Sequence, residues 1–480
     1  MTALKSIRTR MAPSPTGEMH VGSMATLLKN YAFAKQNRGQ FILRIEDTDQ
    51  NRLIKGSEDE LKQIIREYGL DWDEGPDKDG EFGPYIQSQR LEIYRQKAQE
   101  LIDQDKAYYC FCSRERLEKV RDTQRAEKKP PRYDRHCLGL SPEEVRERVK
   151  AGERYVIRLK VPADQEVRFT DLLRGEIMVN SNEIDDQVLL KSDNYPTYHL
   201  AVVIDDHSMK ISHVMRGEEW ISSTPKRILL YQAFGWEPPI YAHIPVFLNP
   251  NGKGKMSKRQ GTVSARSFLD QGYLPEAMLN FFMILGWTPK DQREILTLEE
   301  YIAEFKPSDI SVKSVVFDLD KLKWMNGVYI RKLDLDELKS RLTQFLPSDF
   351  PTQKLDLILP LVHERLETLG EIGELTSFLY REIELDQDKL LKKADAEIVA
   401  KQLNETKLSL NSVPDWTIEN IETIIRKLQE ENKWKRGQYF MMLRQAITGR
   451  KISPPLFETV HALDRGLVIE RLAKAHQLVA

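Results

Sequence analysis

The stretch Ala12-Pro13-Ser14-Pro15-Thr16-Gly17-Glu18-Met19-His20-Val21-Gly22-Ser23 decides how the rest of the chain is read. Pro13, Pro15 and Gly17 break any regular element, so this segment is a stiff turn. Arg8 to Met11, just before it, reads as a strand. After it, Met24, Leu27, Leu28 and Tyr31 fall at helical spacing between His20 and Asn37, and Gly39 closes the element. Phe41 to Ile45 is a second short strand. Ser57-Glu58-Asp59-Glu60 has the form of a capping box ahead of a helix carrying Leu61, Ile64 and Ile65. Strand, helix and strand joined by short turns predict a parallel sheet.

A helix that starts just after a strand and a Pro-Gly turn presents unpaired N–H groups and the positive end of its dipole, which suits a polyphosphate. His20 at that start can donate to phosphate oxygens as they gain charge, and Gly22 lets a base or ribose approach the backbone. A second motif, Gly252-Lys253-Gly254-Lys255-Met256-Ser257-Lys258-Arg259, is neither a dinucleotide fingerprint, whose third glycine it lacks, nor a P-loop, since Asn249 stands where that pattern needs glycine. It sets Lys255 and Lys258 three apart on a glycine-flanked loop that can close over a triphosphate and stabilise leaving pyrophosphate.

Composition bounds the rest. At 480 residues the chain predicts three or four domains. Its 72 Lys plus Arg against 74 Asp plus Glu give a net charge of −2, which argues against coating nucleic acid through global charge but not against local basic surfaces. Three cysteines cannot build a disulfide framework and fit a reducing compartment. The longest apolar run, Phe281 to Leu285, is far too short for a membrane span, and the basic N-terminus has no apolar signal region. A cytoplasmic protein with no membrane role is the expectation.

Further along, Tyr108 to Phe111 and Tyr155 to Lys160 read as strands around a charged middle from Arg121 to Arg135, so residues from about 107 to 196 look inserted. Tyr198 to Ile204 reads as a buried strand and Asp205-Asp206-His207 as loop residues at its end, with no closed ligand set for a metal. Thr224-Pro225 reads as an N-cap followed by proline, opening a helix from Lys226 to Phe234. Beyond about Trp324 the period changes: Leu338, Leu342, Phe345 and Leu346, then Ile421, Ile424, Ile425 and Leu428, mark helices. Basic groups at Lys433, Lys435, Arg436, Arg444, Arg450 and Lys451 lie in this helical third, each most simply a solvated face.

His20-Val21-Gly22-Ser23 and Lys255-Met256-Ser257-Lys258-Arg259, 235 residues apart, resemble the HIGH and KMSKS motifs of class I aminoacyl-tRNA synthetases. The resemblance narrows through Ala12 to Gly17, Arg44-Ile45-Glu46-Asp47-Thr48-Asp49, Tyr195-Pro196-Thr197-Tyr198-His199 and Trp324-Met325-Asn326-Gly327, which are similar to the glutamyl-tRNA synthetase family. Glutaminyl enzymes share the front half but carry β-barrels behind it.

This resemblance implies an α/β Rossmann-type catalytic domain over residues 1–106 and 197–255, and an α+β insertion over 107–196 that grips the acceptor end. A stem-contact segment over 256–325 and an all-α anticodon-binding region over 326–480 would follow. It implies ATP-dependent joining of L-glutamate to tRNA(Glu) through glutamyl-adenylate, releasing AMP and diphosphate, with Mg²⁺ carried by ATP and a monomeric enzyme. His20, Lys255 and Lys258 would be catalytic. Gly17, His20, Gly22, Ser23 and Lys255 to Arg259 (Met256 and Ser257 among them) would hold ATP. Arg10, Ala12, Ser14, Glu46, Tyr198 and Arg216 would hold glutamate, the two arginines on carboxylates. Val202 stands where some members carry a substrate-touching Asn, and His363 where some carry an Arg that supports tRNA choice, so charging of tRNA(Gln) stays open. Some members hold zinc through Cys-x-Cys…Cys-x-His. Here Cys110, Cys112 and Cys137 keep that gap, Gly139 replaces the last ligand, and Tyr133, ahead of His136, is the expected substitute for a structural Zn²⁺ site. The rivals are glutamylation of a tRNA base, whose enzymes lack the helical third, a related nucleotidyltransferase, which has no need of the insertion, and a non-catalytic tRNA-binding scaffold, which would show damaged motifs.

Overall fold

The computed structural model describes residues 6–256, 264–392 and 394–480. These divide into two compact units, one of Met1–Ser267 with Met278–Leu319, the other of Phe268–Ala277 with Asp320–Ala480.

In the first unit β1 (Arg8–Met11) pairs in parallel with β2 (Gln40–Leu43), Arg10 opposite Ile42. Between them runs α1 (Val21–Gln36), which buries Val21, Met24, Leu27 and Leu28 as its spacing predicts. Gly39 lets the chain double back: a Cβ there would sit 2.0 Å from the carbonyl oxygen of Ile7. α2 (Ser57–Glu67) follows. Its predicted capping box does not form. Gly56 is the N-cap, and the Ser57 hydroxyl instead exchanges two 3.2 Å hydrogen bonds with the backbone of Gly17. Serving the turn at residue 17 took precedence over serving the helix end.

After α3 (Leu91–Asp103) come β3 (Ala107–Cys110), α4 (Arg114–Ala126), α5 (Pro142–Lys150), β4 (Val156–Leu159), β5 (Glu166–Asp171), β6 (Gly175–Asn180) and β7 (Val188–Leu190). The charged middle of this stretch is thus partly helical. β3, β4 and β7 form an antiparallel sheet, but β5 and β6 belong to another, with β9 (Ile240–Ile244) and β8 (His213–Gly217) in the order β6-β5-β9-β8. There β8 and β9 are parallel, and Asp171 of β5 pairs with Tyr241 of β9. The stretch expected as an insertion shares part of its core with the rest of the unit: Ile157, Leu159 and Val167 pack in one cluster with Leu200, Val203 and Leu230, while Cys110, Phe111, Tyr133 and Cys137 form a small cluster of their own.

Tyr198 to Ser208 is a helix, α6, not the strand read from its apolar run. A short unbroken apolar run fits a buried helix as well as a buried strand, and periodicity cannot separate them. Helical geometry is what Asp205 and Asp206 require. They are not loop residues but lie buried in the last turns of α6, and each meets cations from other elements. Asp206 accepts from Arg44 at 2.7 Å and Arg10 at 3.3 Å. Asp205 accepts from Arg90, Gln87 and Tyr94, all at 2.8 Å. α7 (Thr224–Phe234) begins two residues before the predicted Lys226, with Ser223 as its N-cap and Pro225 in its first turn. β10 (Phe247–Leu248) pairs with β11 (Val315–Val316).

The second unit is helical, as the change of period predicts. Ile421 and Ile425 of the helix Ile418–Glu431 are buried, with Ile424 and Leu428 packed beside them. Leu338 and Leu342 lie in a further cluster with Ile330 and Val362. No helix among the described residues is long and apolar enough to cross a membrane.

Removing one partner of a buried, hydrogen-bonded charge cluster leaves uncompensated charge, at a cost of about 3–5 kcal/mol. Asp205→Ala is expected to lower stability by that much in urea unfolding. Breaking the half-exposed Lys97–Glu100 pair should cost less than about 1 kcal/mol.

Candidate active site

The C-terminal ends of β1, β2 and β8 and the start of α1 surround a cleft of about 830 Å³ within the first unit. β1 and β2 form a two-stranded parallel sheet and β8 lies in the sheet with β9, and open α/β sheets bind ligands at the carboxyl ends of their parallel strands. Arg10, Ala12 and Ser14 enter from β1 and the turn after it, Gly17 from the same turn with φ of 133°, and His20, Gly22 and Ser23 from the start of α1. Glu46 follows β2, Tyr198 opens α6, Arg216 comes from β8, and Lys255 and Met256 complete the wall. Ser257, Lys258 and Arg259, expected to hold ATP, lie outside the described residues. Met256 is bonded to Phe247 at 2.8 Å and Ala265 to Met19 at 2.9 Å, so the chain on both sides of them is anchored at the cleft.

His20 is the N-cap of α1. Its Nδ1 accepts from the Gly22 N–H at 2.9 Å. That bond leaves the imidazole proton on Nε2, the nitrogen able to donate to a ligand. Lys255 is exposed and pairs with Glu219 at 3.1 Å.

The charged groups are unequal. Arg10 already faces Asp206, and although burial works against its charge, Asp206 raises its pKa overall. Burial holds Glu46 above the usual carboxylate range, opposed by Arg44 and Arg10; Arg44 donates to it at 3.0 Å. Arg216 has no ion pair among the described residues. Burial and then the neighbouring Arg227 lower its pKa to about 9. A buried guanidinium without a counter-ion, beside a helix N-terminus and a carboxylate, can bind a small anionic zwitterion together with a polyphosphate.

Sequence reasoning missed several members of the cleft. Trp220 lies 4.8 Å from the Tyr198 ring. Lys29, fully buried in α1, donates to the Phe282 carbonyl oxygen at 3.2 Å, and burial lowers its pKa to about 7. Thr224 and His243 hold Arg216. The signal for Asp205 and Asp206 was present, since two carboxylates ending an apolar run must be paired if the run is buried. Val202, the departure from the family pattern, is buried in α6.

The cysteines gather elsewhere in this unit. The sulfurs of Cys110, Cys112 and Cys137 lie within 4.8 Å of one another, with Cys112 and Cys137 at 3.5 Å. The Tyr133 hydroxyl is 3.3 Å from Cys110 and 3.4 Å from Cys112. His136 is exposed.

Residues 6–324 match the family model for class I tRNA synthetases (E and Q), catalytic domain, and residues 337–476 match an anticodon binding domain. The glutamate–tRNA ligase of Dehalococcoides mccartyi is 44% identical over 98% of this chain and 97% of its own. The chain belongs to the glutamate–tRNA ligase family. The family's enzyme of the same name from Clostridioides difficile is 41% identical over 98% of both chains. A crystal structure of a glutamate–tRNA ligase from Elizabethkingia meningosepticum, in complex with its amino acid, superposes with a TM-score of 0.89 at 34% identity, over 99% of this chain and 100% of that one. Membership makes the protein an enzyme, a class I aminoacyl-tRNA synthetase of mixed α/β fold with a helical anticodon-binding region, and class I synthetases use ATP with Mg²⁺.

Burial of His199, next to Tyr198 in α6, produces a pH effect. Burial, followed by Arg227, Lys226 and Arg216, lowers the His199 pKa to about 3, against about 6.5 in an unfolded chain. Between those values the unfolded state holds a proton that the folded state does not, so stability falls as pH drops below about 6.5. His199→Phe should reduce the stability lost between pH 7 and pH 5 by roughly 1–2 kcal/mol, read from urea melts at the two pH values.

Proposed function

We propose that the protein joins L-glutamate to tRNA(Glu), the glutamate α-carboxylate attacking the α-phosphorus of ATP and a terminal ribose hydroxyl then attacking the adenylate. Neither step requires a protein nucleophile. Catalysis is positioning plus stabilisation of phosphate charge. The observation that carries the reading is Arg216, a buried cation with no carboxylate partner among the described residues at the edge of a cleft that also holds Arg10 and Glu46. In this reading Arg216 receives a substrate carboxylate, with Arg10 supporting, while Glu46 faces the α-ammonium. Ala12 and Ser14 touch the backbone end and Tyr198 closes the pocket. His20, Gly17, Gly22, Ser23, Lys255 and Met256 receive ATP, with Ser257, Lys258 and Arg259 from the second motif. The enzyme acts as a monomer in the cytoplasm. Residues 107–196 hold the acceptor end, 256–325 the stem and 326–480 the anticodon.

A charging assay with purified tRNA(Glu) and tRNA(Gln), offering glutamate or glutamine, tests the activity. Comparable kcat/KM for the two amino acids would sink the glutamate assignment. The tRNA(Gln) arm decides whether the enzyme also charges that tRNA, since His363 is engaged by the Ile330 carbonyl oxygen at 2.9 Å. Arg216→Ala should lower kcat/KM for glutamate by about 10³-fold or more, because the substrate's carboxylate would lose a charge-assisted, bidentate partner in a buried site.

The cysteine cluster supports a structural zinc held by Cys110, Cys112, Cys137 and Tyr133. Three sulfurs and one phenol oxygen converge at a spacing that small side-chain movements bring to Zn–S bonds of about 2.3 Å. Burial first, then the neighbouring thiols, push Cys112 up to about 11, a response that a divalent cation reverses. Metal would pin β3 to the segment at Tyr133. Elemental analysis should find near one zinc per chain, falling when Cys112 becomes Ser. A strong chelator should lower the melting temperature of wild type and leave that of Cys112→Ser unchanged.

A further inference from the structure

Arg216 is held from behind by a chain of two residues. On β9, its partner in the parallel register is His243, whose Nε2 accepts from Arg216 Nε at 3.0 Å. The other imidazole nitrogen, Nδ1, lies 2.6 Å from Oδ2 of Asp171, which also accepts the His243 backbone N–H at 3.0 Å. Oδ1 of Asp171 accepts the N–H groups of Leu173 and Arg174 at 2.9 and 3.0 Å. Thr224 accepts from Arg216 Nη2 at 2.6 Å and donates to the Trp220 carbonyl oxygen at 2.8 Å. Asp171, His243 and Thr224 are each no more than 1% exposed.

This arrangement fixes a tautomer. A guanidinium only donates, so His243 Nε2 must carry a lone pair. The imidazole proton is therefore on Nδ1 and is donated to Asp171. A neutral ring thus stands between Arg216 and the nearest carboxylate behind it. Arg10 and Arg44 are treated differently, each facing Asp206 directly. Arg216 is oriented as firmly as an ion pair would orient it, yet its charge is not neutralised.

We propose that Asp171 and His243 are positioning residues that set the preference for a carboxylate over an amide, by fixing Arg216 through a neutral acceptor and leaving its positive charge for the substrate. The inference rests on the reading of Arg216 as a carboxylate ligand. It also gives β5, a strand from the stretch expected as an insertion, a part in the amino-acid pocket.

Asp171→Asn is the sharpest test, because it preserves size while reversing a hydrogen bond. With its carbonyl engaged by Leu173 and Arg174, the new amide presents N–H to Nδ1 and drives the imidazole proton to Nε2, against Arg216, and the His243 backbone N–H loses its acceptor. The expected result is a rise in KM for glutamate of about 10²-fold, the scale of a misplaced binding group. KM for ATP should stay within threefold, and the glutamate-to-glutamine ratio of kcat/KM should fall at least tenfold. His243→Gln, which keeps an acceptor, should retain more discrimination than His243→Leu. ¹⁵N spectra of the wild-type imidazoles should show His243 as the Nδ1–H tautomer. If Arg216→Ala leaves KM for glutamate unchanged, the carboxylate reading fails and this inference with it. If Arg216→Ala raises KM but Asp171→Asn changes neither KM nor discrimination beyond threefold, the positioning role alone is overturned. Should Asp171→Asn fail to fold, the two His243 variants decide in its place, and an Nε2–H tautomer in wild type overturns the proposal by itself.

Discussion

Arg44 has no exposed surface and meets three carboxylates: Asp206 at 2.7 Å, Glu46 at 3.0 Å and Asp205 at 3.8 Å. A charge buried to that depth is tolerable only if its partners are held in place, and holding them determines much of the first unit. Asp205 and Asp206 fix the rotation of α6 against β1 and β2. Through Asp205 the same cluster reaches Arg90 and Tyr94 at the start of α3. Through Asp206 it reaches Arg10, and through Glu46 it reaches the cleft. The residues that frame the site are thus also those whose charges must cancel, so the framework resists rearrangement where substrate would bind.

The cations around the cleft show a division of labour that follows from this constraint. Arg44 is neutralised several times over and serves the fold. Arg10 shares Asp206 with Arg44 and lines the cleft. Arg216 stands apart: its neighbours are a hydroxyl, a neutral imidazole and the Tyr241 ring, 4.8 Å from the guanidinium. Desolvation without a counter-ion makes it the group whose electrostatic energy improves most when an anion arrives. A site that must prefer a carboxylate to an amide of nearly the same size needs such an unneutralised charge, because shape alone offers little discrimination.

Some elements were legible in the residues because their signals are local. The turn from Pro13 to Gly17, the helix beginning after His20 and the buried stripes of the helical third follow from backbone restriction and side-chain period. The two motifs at His20 and Lys255 were likewise legible by their residues and order. Where local preference competes with a distant partner, the reading failed. Ser57 has the form of a helix cap but bonds to Gly17, forty residues away. Val202, Val203 and Ile204 suit a strand but lie in α6, because the carboxylates that follow must reach Arg10 and Arg44. The stretch from 107 to 196 looks separable, yet β5 completes the sheet that carries Arg216.

The sequence by itself therefore determined the local turns, the amphipathic helices, the family and the identity of the groups that can bind phosphate and carboxylate, since those depend on spacing and side-chain chemistry. Only the tertiary structure decided which arginine carries an uncompensated charge and which residues orient it. Arg10, Arg44 and Arg216 are indistinguishable as letters. Their partners lie up to 196 residues away along the chain, and net charge at a buried site is a property of what packs against it.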